Sequence, residues 1–137
     1  MMSTRISQVS TVLLLAGGLA LLFAPDDILP RLIPGFPVAG AWLGQLLAGA
    51  WIGIAALNWY NRSTLLGGIY GRPIVLANAA LYFMSATALI KVAGRGDTPV
   101  ALAVLTVPFG LLAIAYGWLM FRGPFEGDVE MKRKAQS

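Results

Sequence analysis

The sequence predicts an all-α fold: an integral membrane four-helix bundle with both termini on the cytoplasmic side. Three observations lead there. Hydrophobic residues make up 58% of the 137-residue chain and charged residues 12%, against roughly 45–50% and ~25% in soluble domains. The charges are also unevenly spread. Four stretches carry none: Ile6 to Pro25, Leu32 to Asn61, Pro73 to Ile90 and Thr98 to Phe121. Each approaches or exceeds the ~20 apolar residues that cross a ~30 Å hydrocarbon core. The third observation is the placement of the basic residues, taken up below.

The first span is read as Ser7–Ala24, the shortest, with Ser7, Gln8, Ser10 and Thr11 at its start. Such a span is expected to tilt little or to thin the bilayer. Arg5 followed by Val12–Phe23 also has the outline of a secretory signal. Leu22 and Pro25, however, flank the only fitting cleavage point, Ala24, unfavourably, so the segment is read as retained. Asp26–Pro37 alternates Ile28, Leu29, Leu32 and Ile33 with Asp26, Asp27 and Arg31. This pattern predicts a short helix or loop lying on the membrane surface.

The second span is read as Val38–Trp59, the third as Pro73–Val92 and the fourth as Pro99–Phe121. Pro73 and Pro99 stand where a helix begins, a position that tolerates the missing N–H. Thr98 is expected to cap the fourth span, and Gly123–Pro124 to end it. Pro108 should free the Val104 carbonyl and bend that helix. Residues 1–125 thus form the transmembrane domain, and 126–137 a charged tail that is frayed or weakly helical.

With the amino terminus inside, the inner segments hold Arg5, Arg62, Arg72, Arg122, Lys132, Arg133 and Lys134, and the outer ones Arg31, Lys91 and Arg95. This excess of basic residues sets the orientation. The net charge of +4 is therefore read as membrane orientation and anionic-lipid contact rather than nucleic-acid binding.

Cysteine and histidine are both absent. Disulfides, thiolate nucleophiles, cysteine–zinc sites and iron–sulfur clusters are excluded within the chain, as are the usual haem ligand and the commonest general base. The reading assigns no catalytic residue, no metal ligand and no cofactor. No acidic residue lies deep in a span, where a proton-coupled exporter would need one.

Helices in lipid associate through small residues. Candidate stripes are Ala16, Ala20 and Ala24 in the first span, Gly40, Gly44 and Ala48 together with Gly49 and Gly53 in the second, and Gly110 and Gly117 in the fourth.

The candidate site is a ligand- or lipid-headgroup cluster made of Asn58, Trp59, Tyr60, Arg62, Tyr70, Arg72, Asn78 and Tyr82. Arginine forks suit phosphate or carboxylate, and glycines at 67, 68 and 71 would let backbone N–H groups approach it. The same residues also read structurally. Arginines then set orientation, aromatics form an interfacial belt, glycines permit a turn, and Asn58 pairs with Asn78 across helices. Gln45, and Ser85 on the face of Asn78 and Tyr82, are further polar candidates within the spans.

The passages Ala56-Leu57-Asn58-Trp59-Tyr60-Asn61-Arg62, Leu66-Gly67-Gly68-Ile69-Tyr70-Gly71-Arg72-Pro73 and Ala77-Asn78, with Leu21–Pro25, resemble a group of uncharacterised small bacterial four-span membrane proteins. The outline is also loosely similar to DoxX-type proteins. The resemblance covers about Leu13 to Lys91. It implies a bacterial inner-membrane bundle and no particular activity.

The function expected is that of a non-enzymatic accessory or lipid-interacting membrane component. An oligomeric transporter or channel, and a membrane enzyme acting on a lipid or quinone-like substrate, are the rival classes. The expected partners are membrane lipids, with a homo-oligomer or larger membrane complex as a further class, and not nucleic acid.

Overall fold

The computed structural model describes residues 2–66, 68–96, 98–123 and 126–136, for Glu126 and Asp128 the backbone alone. Gly67 and Pro124, which enter the sequence reading above, and Asp97, which precedes Thr98, lie outside the described residues. Six α-helices follow in order: α1 Met2–Phe23, α2 Pro25–Leu32, α3 Ala41–Tyr60, α4 Arg72–Ala93, α5 Val100–Arg122 and α6 Glu126–Ala135. A single 3-10 turn, Val38–Gly40, leads into α3. Four helical segments are long and apolar enough to cross a membrane: Met2–Phe23, Val38–Tyr60, Arg72–Ala93 and Val100–Arg122.

The inward faces repeat at alternating steps of three and four. On α3 they are Gly44, Ala48, Trp51, Ala55 and Asn58, and on α5 Phe109, Leu112, Tyr116 and Leu119. This 3.5-residue period keeps a stripe facing its neighbours in a bundle of nearly aligned helices. The outward faces are apolar too. Val12, Phe83, Leu111 and Ile114 are each more than 60% exposed. A surface so uniformly apolar in water would be an aggregation hazard. In hydrocarbon it is the solvated surface.

The backbones pack most closely within two antiparallel pairs, α1 with α3 and α4 with α5. Three contacts run the length of the first pair. Ser7 Oγ donates to the Asn58 carbonyl at 2.8 Å. A Cβ at Gly18 would lie 2.8 Å from Ile52 and 3.3 Å from the Ala48 carbonyl oxygen. At the far end, Pro25 and Leu29 of α2 cover Gly44. The close approach of α1 and α3 therefore uses Gly17, Gly18 and Ala48, while Gly44 seats α2. Ala16 and Ala20 of the expected alanine stripe are exposed, and Gly49, Gly53, Gly110 and Gly117 face open space. Several small-residue stripes were available on these helices, and shape selected those that sit against bulky partners, Trp51 and Ile52 among them.

The polar start of α1 is not a frayed entrance. The helix begins at Met2, and Ser3, Ser7, Ser10 and Thr11 are buried with Leu14, Gly18 and Leu21 on one face. Thr11 returns its hydroxyl to the Ser7 carbonyl at 2.8 Å. The chain bends at Ala24 (φ −136°, ψ 47°) and enters α2 through Pro25 at its first turn. Asp26 and Asp27 open α2 and Arg31 closes it, complementing its dipole.

Thr98 does not cap α5. Pro99 precedes that helix without a side-chain cap, and the Thr98 hydroxyl donates to the Val92 carbonyl at 2.6 Å, closing α4 instead. Pro108 lies within an α5 that runs unbroken from Val100 to Arg122.

Candidate functional site

The site is built where the ends of α3 and the start of α4 meet the polar half of α1. Asn58, in the last turn of α3, and Asn78, in the second turn of α4, are fully buried. Asn58 Nδ2 donates to Asn78 Oδ1 at 2.8 Å, and Asn78 Nδ2 donates to Asn58 Oδ1 at 2.7 Å. The second hydrogen of each amide is used as well. Asn78 gives it to the Ile74 carbonyl at 2.9 Å, and Asn58 gives it to Ser10 Oγ at 2.8 Å.

Ser10 is the hub. Its hydroxyl donates to Asn78 Oδ1 at 3.2 Å and lies 2.7 Å from the Tyr82 hydroxyl. A serine hydroxyl has one hydrogen and two lone pairs. With that hydrogen on Asn78, both lone pairs accept, one from Asn58 and one from Tyr82, so Tyr82 is the donor. Three helices are thereby joined by one network in which each of these donors is used. In a low-dielectric interior such closure decides whether polar groups stabilise or cost.

An aromatic column stands beside the network. Tyr82 stacks on Tyr116 with centroids 5.7 Å apart and planes 10° from parallel. Phe109 meets the edge of Tyr82 at 5.4 Å, and Trp51 meets Phe109 at 5.6 Å. These large rings fill the space between the two helix pairs, where backbones do not approach closely. Two polar atoms in the column are buried without a hydrogen-bond partner, the Tyr116 hydroxyl and Trp51 Nε1.

The eight residues singled out in the sequence divide in two. Asn58, Asn78 and Tyr82 come together inside the bundle. Trp59, Tyr60, Tyr70 and Arg72 are exposed, and Arg62 is half-buried. Arg62 is occupied locally: its guanidinium lies 4.2 Å over the Trp59 ring and donates to the Trp59 carbonyl at 2.7 Å. Arg122 repeats the arrangement 4.8 Å over Trp118. Arg72 has no acidic partner among the described residues. It stands at one end of a groove with Pro73, Val75, Leu76, Leu119 and Met120. Neither Tyr82 nor Arg62 lines that groove.

The glycine turn is self-satisfied. Gly68 N–H donates to the Leu65 carbonyl, and Gly71 and Arg72 N–H both donate to the Gly68 carbonyl, at 3.0–3.1 Å. The Gly71 position is crowded by the Leu65 carbonyl oxygen and by Leu66 Cα. These glycines let the chain turn tightly over buried Leu66, and the N–H groups of Gly68 and Gly71 are not free for an anion. Gln45 is exposed on the outside of α3 and Ser85 is half-buried, so the two do not continue the interior network into a polar path. Among the described residues no cluster of three or more acidic side chains forms a cation site.

The sequence reading missed Ser7 and Ser10 as site residues. Their signal was present: with Ser3, Thr11 and Leu14 they recur at three- and four-residue steps on an otherwise apolar helix. What the fold and the site define is a class, a small multi-pass membrane protein with a buried polar network that joins three of its helices. Comparison with protein-family models, curated proteins and solved structures finds no match to this chain.

Proposed function

We propose that this chain is a non-enzymatic accessory component of a bacterial inner membrane, with both termini cytoplasmic, whose basic inner rim engages anionic lipid. One observation carries the reading: the polar groups are spent inside while the cations are presented outside. Interior Ser10, Asn58, Asn78 and Tyr82 bond to one another. Arg5 and Arg72 face outward at the same end of the bundle as Arg62 and Arg122, which ride on tryptophan rings. Interfacial Trp and Arg are the side chains that anchor a helix end at headgroup level. The bacterial assignment rests on the sequence resemblance, and the orientation on the distribution of basic residues.

The test is native mass spectrometry of the detergent-purified protein with equimolar dioleoylphosphatidylglycerol and dioleoylphosphatidylcholine. The protein should retain the anionic lipid preferentially, and the double variant Arg62→Ala, Arg72→Ala should lose that preference. Equal retention of both lipids by the unaltered protein would contradict the proposal.

A further inference from the structure

We infer that the α4–α5 face is a binding site for a single anionic phospholipid, with its phosphate on Arg72 and one acyl chain in the groove below. The inference deepens the proposed function and rests on it. Two grooves on this face, of about 470 and 280 Å³, adjoin along Leu76 and Met120, which line both. The upper one holds Arg72. The lower one runs past Ala80 and Gly117 to Phe83 and is almost wholly apolar.

Dimensions and charge select the occupant. From Arg72 to Phe83 is roughly 16 Å at 1.5 Å per residue, close to the ~15 Å of one hydrocarbon leaflet, half of a ~30 Å core. Arg72 is the first residue of α4, so its guanidinium lies at headgroup level when the groove lies at acyl-chain level. Its charge has no acidic partner among the described residues, and a phosphate matches its planar donor fork. Arg62 and Arg122 already cover indole rings, which distinguishes Arg72 from these two neighbours. The groove owes its depth to Gly117 and the alanines. A Cβ at Gly117 would meet nothing within 4 Å, so a larger side chain there fills the groove without disturbing the packing.

The lipid mixture described above separates the possibilities. Arg72→Gln should lower the ratio of phosphatidylglycerol to phosphatidylcholine retained by about fivefold, the worth of one interfacial cation near an anionic headgroup. Gly117→Leu should lower retention of both lipids, since it blocks the chain and spares the charge. Arg95→Gln and Gly49→Leu, which alter an exposed cation at the opposite end of the bundle and the open face of α3, should change neither. Thermal melting of each variant in detergent confirms that it is folded. The site is overturned if Arg72→Gln keeps the preference, if Gly117→Leu keeps full retention, or if the two controls lose as much. Loss of preference in Arg62→Ala, Arg72→Ala with full retention in Gly117→Leu removes the groove and leaves the basic rim standing. No preference in the unaltered protein removes both.

Discussion

Asn58 and Asn78 face each other across α3 and α4 and exchange two hydrogen bonds, at 2.8 and 2.7 Å, with neither side chain exposed. The pair is reciprocal, so truncating one member strands the other. Asn78→Leu should destabilise the bundle by about 1–3 kcal/mol, because Asn58 is left with a buried, unpaired amide oxygen. The double variant Asn58→Leu, Asn78→Leu should cost less than the sum of the singles, with a coupling of about 0.6–2 kcal/mol. A double-mutant cycle of unfolding in mixed micelles measures it, and strict additivity would mean that the amides are not bonded.

Tyr82 and Tyr116 stack, yet only one of their hydroxyls is bonded, and the two conservative substitutions should therefore differ. Tyr82→Phe removes a donor from Ser10 and should lower stability by about 1 kcal/mol. Tyr116→Phe removes a buried hydroxyl that has no partner and should be neutral or stabilising. Melting temperatures of the two variants in the same detergent check the order, and equal losses would show that the Tyr116 hydroxyl is bonded.

The glycines divide by what surrounds them. At Gly71 an added methyl meets main-chain atoms of Leu65 and Leu66, which cannot move without opening the turn. Gly71→Ala should cost about 1–3 kcal/mol, the range for overpacking. Gly53→Ala adds a methyl to open space and should cost nothing measurable. Comparable losses from both, read by thermal denaturation, would contradict the close approach at Gly71.

The spans were legible in the sequence because charge is excluded from hydrocarbon. The charge-free runs placed the middle and last helices within one to three residues of α3, α4 and α5. The start of α1 was not legible in the same way. Ser7 and Ser10 resemble an interfacial entrance in a linear reading, and only their partners on α3 and α4 show that they face inward. The site was half legible for a related reason. Asn58 and Trp59 are adjacent in sequence but about 100° apart around a helix, so a cluster drawn along the chain mixed an interior face with a lipid-facing one. The choice among small-residue stripes depended on the shapes opposite them, such as Trp51 against Gly17, which composition does not encode.

Orientation is open to direct measurement because the chain contains no cysteine. Gly94→Cys, in the α4–α5 turn, should react with a membrane-impermeant maleimide on right-side-out spheroplasts. Gln136→Cys, beyond α6, should react only after lysis. The reverse pattern would place both termini outside.

Hydrocarbon, not water, bathes the outward faces of these helices. Leu111, midway along α5 and 63% exposed, reports on it most directly. A spin label at Leu111→Cys in reconstituted bilayers should collide frequently with dissolved oxygen and rarely with a water-soluble nickel chelate. Frequent collision with the chelate would place that face in water and contradict the account.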